Sequence, residues 1–415
     1  MKPLMFSIQA YFTEKDESLS MSGTVRDPMA RLSVWRSNIG RKLVPNLAST
    51  VTQLDGVICV IFIYHFLGQA RQENKKWGLI QGFRILEGIL ACYLAKQRRP
   101  IYGIRALSDP EMFTILKDDS RTVCNGLRQY YRGTCRRAGL INKDLKALKE
   151  NVGDWCHKSL SGFPLSPLID IIDQKLKSSG SLNPHRDVLS PRVIQLLNNF
   201  FNDPEWKKRL KVPLLGRPFE FQEFARLCST IHLQETSLKN SLEAIIDETQ
   251  GHTAHELCIR DVVFNIKRCE IFICWASGIF NWLLGNDRSH KSKAAKELKP
   301  QLGEIRFAAA QFAKIPPQYH TRRYKELNKV AQSTNIGPEA LIEAILEYHK
   351  GVMCERGQDS MIWLEGQFIV VGEPSGGMQT IDEVALDINE GNWLDDYYMS
   401  ATGMIYEQLH EDPAV

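Results

Sequence analysis

Apolar residues recur at three- and four-residue spacing over most of the chain before residue 355, the period of helices with one buried face. Residues 27–48 carry Leu32, Val34, Trp35, Ile39 and Leu43 behind Pro28, which suits a first helical turn. Residues 77–96 place Leu79, Ile80, Phe83, Leu86, Ile89, Leu90 and Leu94 on one side of a second helix. Ser108 with Glu111, Asp203-Pro204-Glu205, Ser190-Pro191 and Gly337-Pro338 each read as a helix start, and the last of these helices should stop before Gly351. Two longer helices are expected over 219–249, broken once, and over 254–284. After residue 355 the period changes. MIWLEGQFIVV at 361–371 reads as two short strands around Glu365-Gly366, and 392–409 as a closing helix.

The pattern predicts a mainly α protein: a multi-helix body with a small carboxyl-terminal β-hairpin/α segment. Proline and serine concentrate in 158–192, interrupted by a short helix at 168–176, which marks a boundary segment. The expected organisation is an amino-terminal helical domain (1–157), this linker (158–192), a second helical domain (193–354) and an acidic α+β end (355–415).

At 415 residues, two or three domains are expected. Hydrophobic residues make up 43% and charged ones 24%, as in ordinary globular proteins, so a disordered or collagen-like chain is excluded. The most apolar run, 56–67, is shorter than the roughly 20 residues of a bilayer-spanning helix, and no export signal opens the chain. The 10 cysteines form no C-x-x-C pair, which favours reduced thiols and a cytoplasmic setting. The net charge of +4 is unevenly spread. Residues 355–415 hold thirteen acidic residues against one basic, Arg356, and so carry −12, which leaves +16 on the remainder. That asymmetry suggests an anionic partner for the body, and an acidic end that folds back on it or docks on another protein.

Arg121, Arg128, Arg132 and Arg136 step by seven, four and four, one stripe of a helix, with Tyr130, Tyr131, Arg137 and Lys143 beside them. Guanidinium forks suit phosphate and aromatic rings can stack on bases, so Arg121, Arg128, Tyr131, Arg132, Arg136 and Arg137 are candidate nucleic-acid contacts. The alternative is a solvated face, or arginines paired with the acidic end. Further basic clusters lie at Arg288, Lys291, Lys293, Lys296 and Lys299 and at Arg322, Arg323, Lys325 and Lys329. Trp363, Phe368 and Trp393 are candidate anchors for a partner protein. His252, His255 and Cys258 could share a helical face around a metal, but no fourth ligand lies nearby. Asp55, Glu73 and Lys75 could form a metal-dependent nuclease site of two carboxylates and a lysine, provided adjacent strands carry them. No phosphate-binding loop, dinucleotide glycine pattern, nucleophile elbow or H-E-x-x-H motif is present, so catalysis is not the first expectation and no cofactor is implied.

Three stretches, RDPMARLSVWRSNIGRKLVPN at 26–46, YGIRAL at 102–107 with RQYYR at 128–132, and HKGVMCERGQDSMIWLEGQFIVV at 349–371, carry a resemblance. On them the chain resembles uncharacterised helical proteins encoded in bacterial phage-defence gene clusters. There an arginine-rich opening helix precedes an apolar helix pair, and a short hairpin follows an H-x(n)-R-G segment. The resemblance implies a subunit of a multiprotein defence or DNA-processing assembly, with other subunits and DNA or RNA as partners, and supplies no catalytic residues. A non-catalytic subunit binding nucleic acid or protein is therefore expected, the nuclease and a pure protein scaffold being the alternatives.

Overall fold

A computed structural model describes residues 27–35, 39–99, 111–117, 126–142, 144, 146–216, 219–232, 237–249, 251, 253–372, 379–393 and 398–410. Helices take up 70% of them, and the strands form two two-stranded sheets, so the fold is mainly α with a small β-hairpin. In chain order come α1 (Arg31–Trp35), α2 (Ile39–Leu43), α3 (Leu54–Gln72), α4 (Leu79–Lys96) and β1 (Ile115–Leu116). A π-helical turn, Leu127–Tyr131, runs into α5 (Arg132–Arg137), followed by α6 (Glu150–Ser159), α7 (Leu165–Ser179) and β2 (Ser181–Leu182). Next are α8 (Pro184–Asp187), α9 (Pro191–Phe201), α10 (Glu205–Leu215), α11 (Phe219–His232), α12 (Leu238–Glu248) and α13 (Ala254–Leu283). The chain continues through α14 (Lys291–Leu298), α15 (Leu302–Ala313), α16 (Arg322–Ser333), α17 (Pro338–Glu355) and the hairpin β3 (Ile362–Glu365) and β4 (Phe368–Val371). It closes with α18 (Ile381–Glu390) and α19 (Met399–His410).

Packing gathers the chain into two compact units, Met1–Leu43 with Gln234–Tyr397, and Val44–Leu233 with Tyr398–Val415. These divisions differ from the expected ones. The prolines of 158–192 open helices instead of making a linker: Pro164 caps α7, and Pro184 and Pro191 occupy the first turns of α8 and α9. A proline costs a helix nothing there, since its missing N–H has no intrahelical acceptor. Leu168, Ile169, Ile172 and Leu176 of α7 are core residues of the 44–233 unit. The acidic end is no separate module either. Its hairpin and α18 belong to the 234–397 unit, whereas α19 packs on α10 and α11 of the other.

In the 44–233 unit, α3 is buried nearly all round and forms the centre, with α4, α5, α6 and α7 against it. It is 19 residues long, well beyond the expected 56–67 run, and by length and composition alone could cross a membrane, although most of it is buried within the unit. In the 234–397 unit α13 holds that place, contacting α2, α12, α15 and α18. Gly278 of α13 leaves room for Val384 of α18, where a Cβ would collide.

Most expected helix starts are observed. The Ser190 hydroxyl accepts the Val193 N–H at 3.4 Å, Asp203 accepts from the Glu205 N–H at 2.9 Å, and 219–249 is broken into α11 and α12. The helix expected over 27–48 is instead α1 and α2. Asp27 Oδ1 accepts the Arg31 N–H at 2.9 Å and delays the start, while Pro45 keeps Val44 out of α2. Helix α17 runs through Gly351 to Glu355, because Val352 and Met353 are buried and outweigh the glycine. The closing helix starts at Met399, not Asn392, and α18 precedes it behind a capping box of Thr380 and Glu383. Ser108 lies outside the described residues.

Candidate nucleic-acid interface

The stripe arginines sit on a short, tightly held segment. The expected single helix over Arg121–Arg136 is, where described, a π turn followed by α5, ending at Gly139 with φ +69°. Tyr131 crosses α3 at Gly56, whose missing side chain makes space for the ring. Glu87, in the middle of the apolar face of α4, is only 2% exposed and accepts the backbone N–H of Leu127 at 2.6 Å and of Arg128 at 3.4 Å. A buried carboxylate thus satisfies donors that the first turn of a helix cannot. Burial pushes the Glu87 carboxyl up to about 7, outweighing the backbone N–H groups and Arg128, which pull it down.

Arg136 is exposed and Arg128 and Arg132 are half-buried. Arg132 hydrogen-bonds the Tyr64 hydroxyl of α3, a phenol that burial raises and this arginine lowers. Arg137 is anchored inward, its Nε donating to the Asn46 carbonyl and an Nη to the Thr134 hydroxyl, both at 3.2 Å. Among the described residues no carboxylate forms an ion pair with Arg128, Arg132 or Arg136. The arginines of the other two basic clusters differ. Arg322 and Arg323 are held by Glu326 and Glu355, and Arg288 lies 3.6 Å from Glu365. Lys291 is buried between Glu339 and Glu343, while Lys293, Lys296, Lys299, Lys325 and Lys329 are exposed.

One expected contact is corrected. Tyr131 is 0% exposed, and Tyr130 is buried too, so neither ring can stack on a base. The helical period that aligned the arginines also turns these tyrosines towards α3. Arg121 and Lys143 lie outside the described residues. Of the partner anchors, Trp363 (39% exposed) and Phe368 (50%) stand on the outer face of the hairpin, Phe368 edge-on to His290 at 5.4 Å. Trp393 is half-buried and turned back, its indole N–H donating to the Ile388 carbonyl at 3.3 Å to close the end of α18.

The nuclease constellation is not assembled. Asp55 opens α3 and Glu73 follows its last residue, about 27 Å away at 1.5 Å per residue. Asp55 pairs with Arg99 at 3.2 Å, Lys75 with Asp170 at 2.6 Å, and Glu73 bonds Gln69 and Ser166. A helix replaces the adjacent strands such a site requires. His255 and Cys258 are exposed on the first turns of α13, His252 lies outside the described residues, and among the described residues no group of three metal-ligating side chains exists.

Glu87 was not singled out from the sequence, although a lone acid within LIQGFRILEGILACYLAK was a usable signal, since buried carboxylates require donors. Thr380-x-x-Glu383 was another, and it would have placed α18. No protein-family model, curated protein or solved structure matches this chain.

Proposed function

We propose that the chain is a non-catalytic subunit that holds nucleic acid by its phosphates through Arg128, Arg132 and Arg136, and that it works within a bacterial anti-phage defence complex. One observation carries the binding reading: these guanidinium groups sit on a clamped segment with no carboxylate paired to them among the described residues, whereas the arginines of the other basic clusters are neutralised. An arginine fork that no carboxylate neutralises is suited to a phosphate oxygen. A π-helical turn, rare and frequent at functional sites, starts the same segment. The defence setting rests on the resemblance alone.

The test is fluorescence anisotropy of a labelled nucleic acid with the full chain. Reversing Arg128, Arg132 and Arg136 to Glu should weaken binding across all sequences in a variant whose helical circular dichroism is retained. Unchanged affinity in a folded triple variant would sink the reading. The scaffold alternative is favoured by the exposed Trp363 and Phe368, which a partner protein could bury. It predicts that Trp363→Ser with Phe368→Ser breaks complex formation and leaves nucleic-acid binding intact.

A further inference from the structure

We infer that the ligand of the arginine segment is a duplex, read through its phosphate backbone without base contacts, and that the basic track extends past Arg136 onto Lys146, Lys149 and Arg71. The inference rests on the nucleic-acid reading above and adds the class of substrate.

The track is laid out along α3. Tyr64 meets Arg132, and Arg71, seven residues and about 10 Å further on, donates from Nη1 to the Lys146 carbonyl at 3.0 Å. The loop carrying Lys146 folds directly off α5. The Leu140 N–H returns to the Cys135 carbonyl at 2.8 Å, Ile141 bridges Leu148, and the Lys149 N–H donates to the Leu140 carbonyl at 3.1 Å. Lys146, Lys149 and Arg71 are all exposed, as is Arg136. Asp144, Glu150 and Glu73 are the acids beside them; Asp144 is engaged in its own turn with the Lys146 N–H, and Glu73 accepts from Gln69 and Ser166. Cations therefore outnumber acids along the whole stretch.

Two features select a duplex. Proteins that hold single strands gain much of their affinity from bases stacking on exposed rings. Among the described residues, the tyrosines on or against the arginine segment, Tyr64, Tyr130 and Tyr131, are all buried. What remains is charge, and a duplex offers one phosphate per roughly 1.7 Å of axis against roughly 3.4 Å for one strand. A track that reads only charge favours the denser polyanion and is indifferent to sequence.

The experiment titrates the full chain against a duplex of about 20 base pairs, two helical turns, against a duplex of scrambled sequence, against one of its strands, and against polyglutamate. The expected result is a duplex bound about tenfold more tightly than the strand, with the scrambled duplex indistinguishable from it. Lys146→Gln with Lys149→Gln should flatten the log–log salt slope for the duplex by about 1.8, at about 0.9 per contact, without moving the melting midpoint. A strand bound as tightly as the duplex, or polyglutamate bound equally well, overturns the inference, as does an unchanged slope in the lysine pair. Failure of the wild-type chain to bind any nucleic acid overturns the parent reading as well, so the two failures are told apart.

Discussion

Replacing Glu87 by Gln removes one negative charge from the centre of the 44–233 unit and keeps the shape of the side chain. In the folded protein the carboxyl is pushed from 4.5 up to about 7, because α4 carries it out of water and the N–H groups of Leu127 and Arg128 recover only part of that cost. At about 1.4 kcal/mol per pKa unit, the displacement corresponds to about 3 kcal/mol. Between pH 4.5 and about 7 the folded chain binds more protons at this site than the unfolded chain, so the contribution is fully present below pH 4.5 and is lost as pH rises through about 7. Glutamine cannot ionise and does not follow that decline. Urea unfolding of both proteins across this range should give a stability difference that is small at the acid end. It should grow in favour of Glu87→Gln to a few kcal/mol at about pH 8. Taking the difference cancels every other titrating group. Parallel profiles would refute the reasoning, because they would show that Glu87 carries the same charge in both states.

His349 works in the opposite direction. The Met361 N–H donates to its Nε2 and its Nδ1–H donates to the Pro28 carbonyl, both at 3.0 Å; burial, with Arg356 nearby, holds the ring's pKa below 6.5 and outweighs the Pro28 bond, which raises it. Stability should therefore fall as pH drops below about 6.5 and level off below the folded pKa. His349→Leu should abolish that loss and cost about 1–3 kcal/mol at alkaline pH, checked by the same unfolding series. Gly56→Ala drives a methyl into the Tyr131 ring, which should cost about 1–3 kcal/mol in a thermal melt and loosen duplex binding.

How far the sequence could be read follows from which forces its local pattern records. Helices α4 and α13 were legible from a helical apolar face alone, and α9 and α17 from a helical pattern behind a recognisable start, Ser190-Pro191 and Gly337-Pro338. The same proline signal misled at 158–192, where composition resembles a linker but burial of Ile169 and Ile172 makes α7 a core helix. Local pattern does not record which elements meet across long separations, so the split of the acidic end between two units was hidden. The arginine stripe was visible by spacing. The burial of Tyr131 depended on Gly56, seventy-five positions away, and the clamp depended on Glu87, so neither followed from the segment itself.

Arginine-selective dicarbonyl labelling of the full chain, with and without saturating duplex, tests most directly which basic cluster holds nucleic acid. The account predicts that duplex protects Arg136, and more weakly the half-buried Arg128 and Arg132, while Arg322 and Arg288 label at the same rate in both states. Protection of Arg322 or Arg288, with Arg136 labelled as fast as in the free chain, would contradict it.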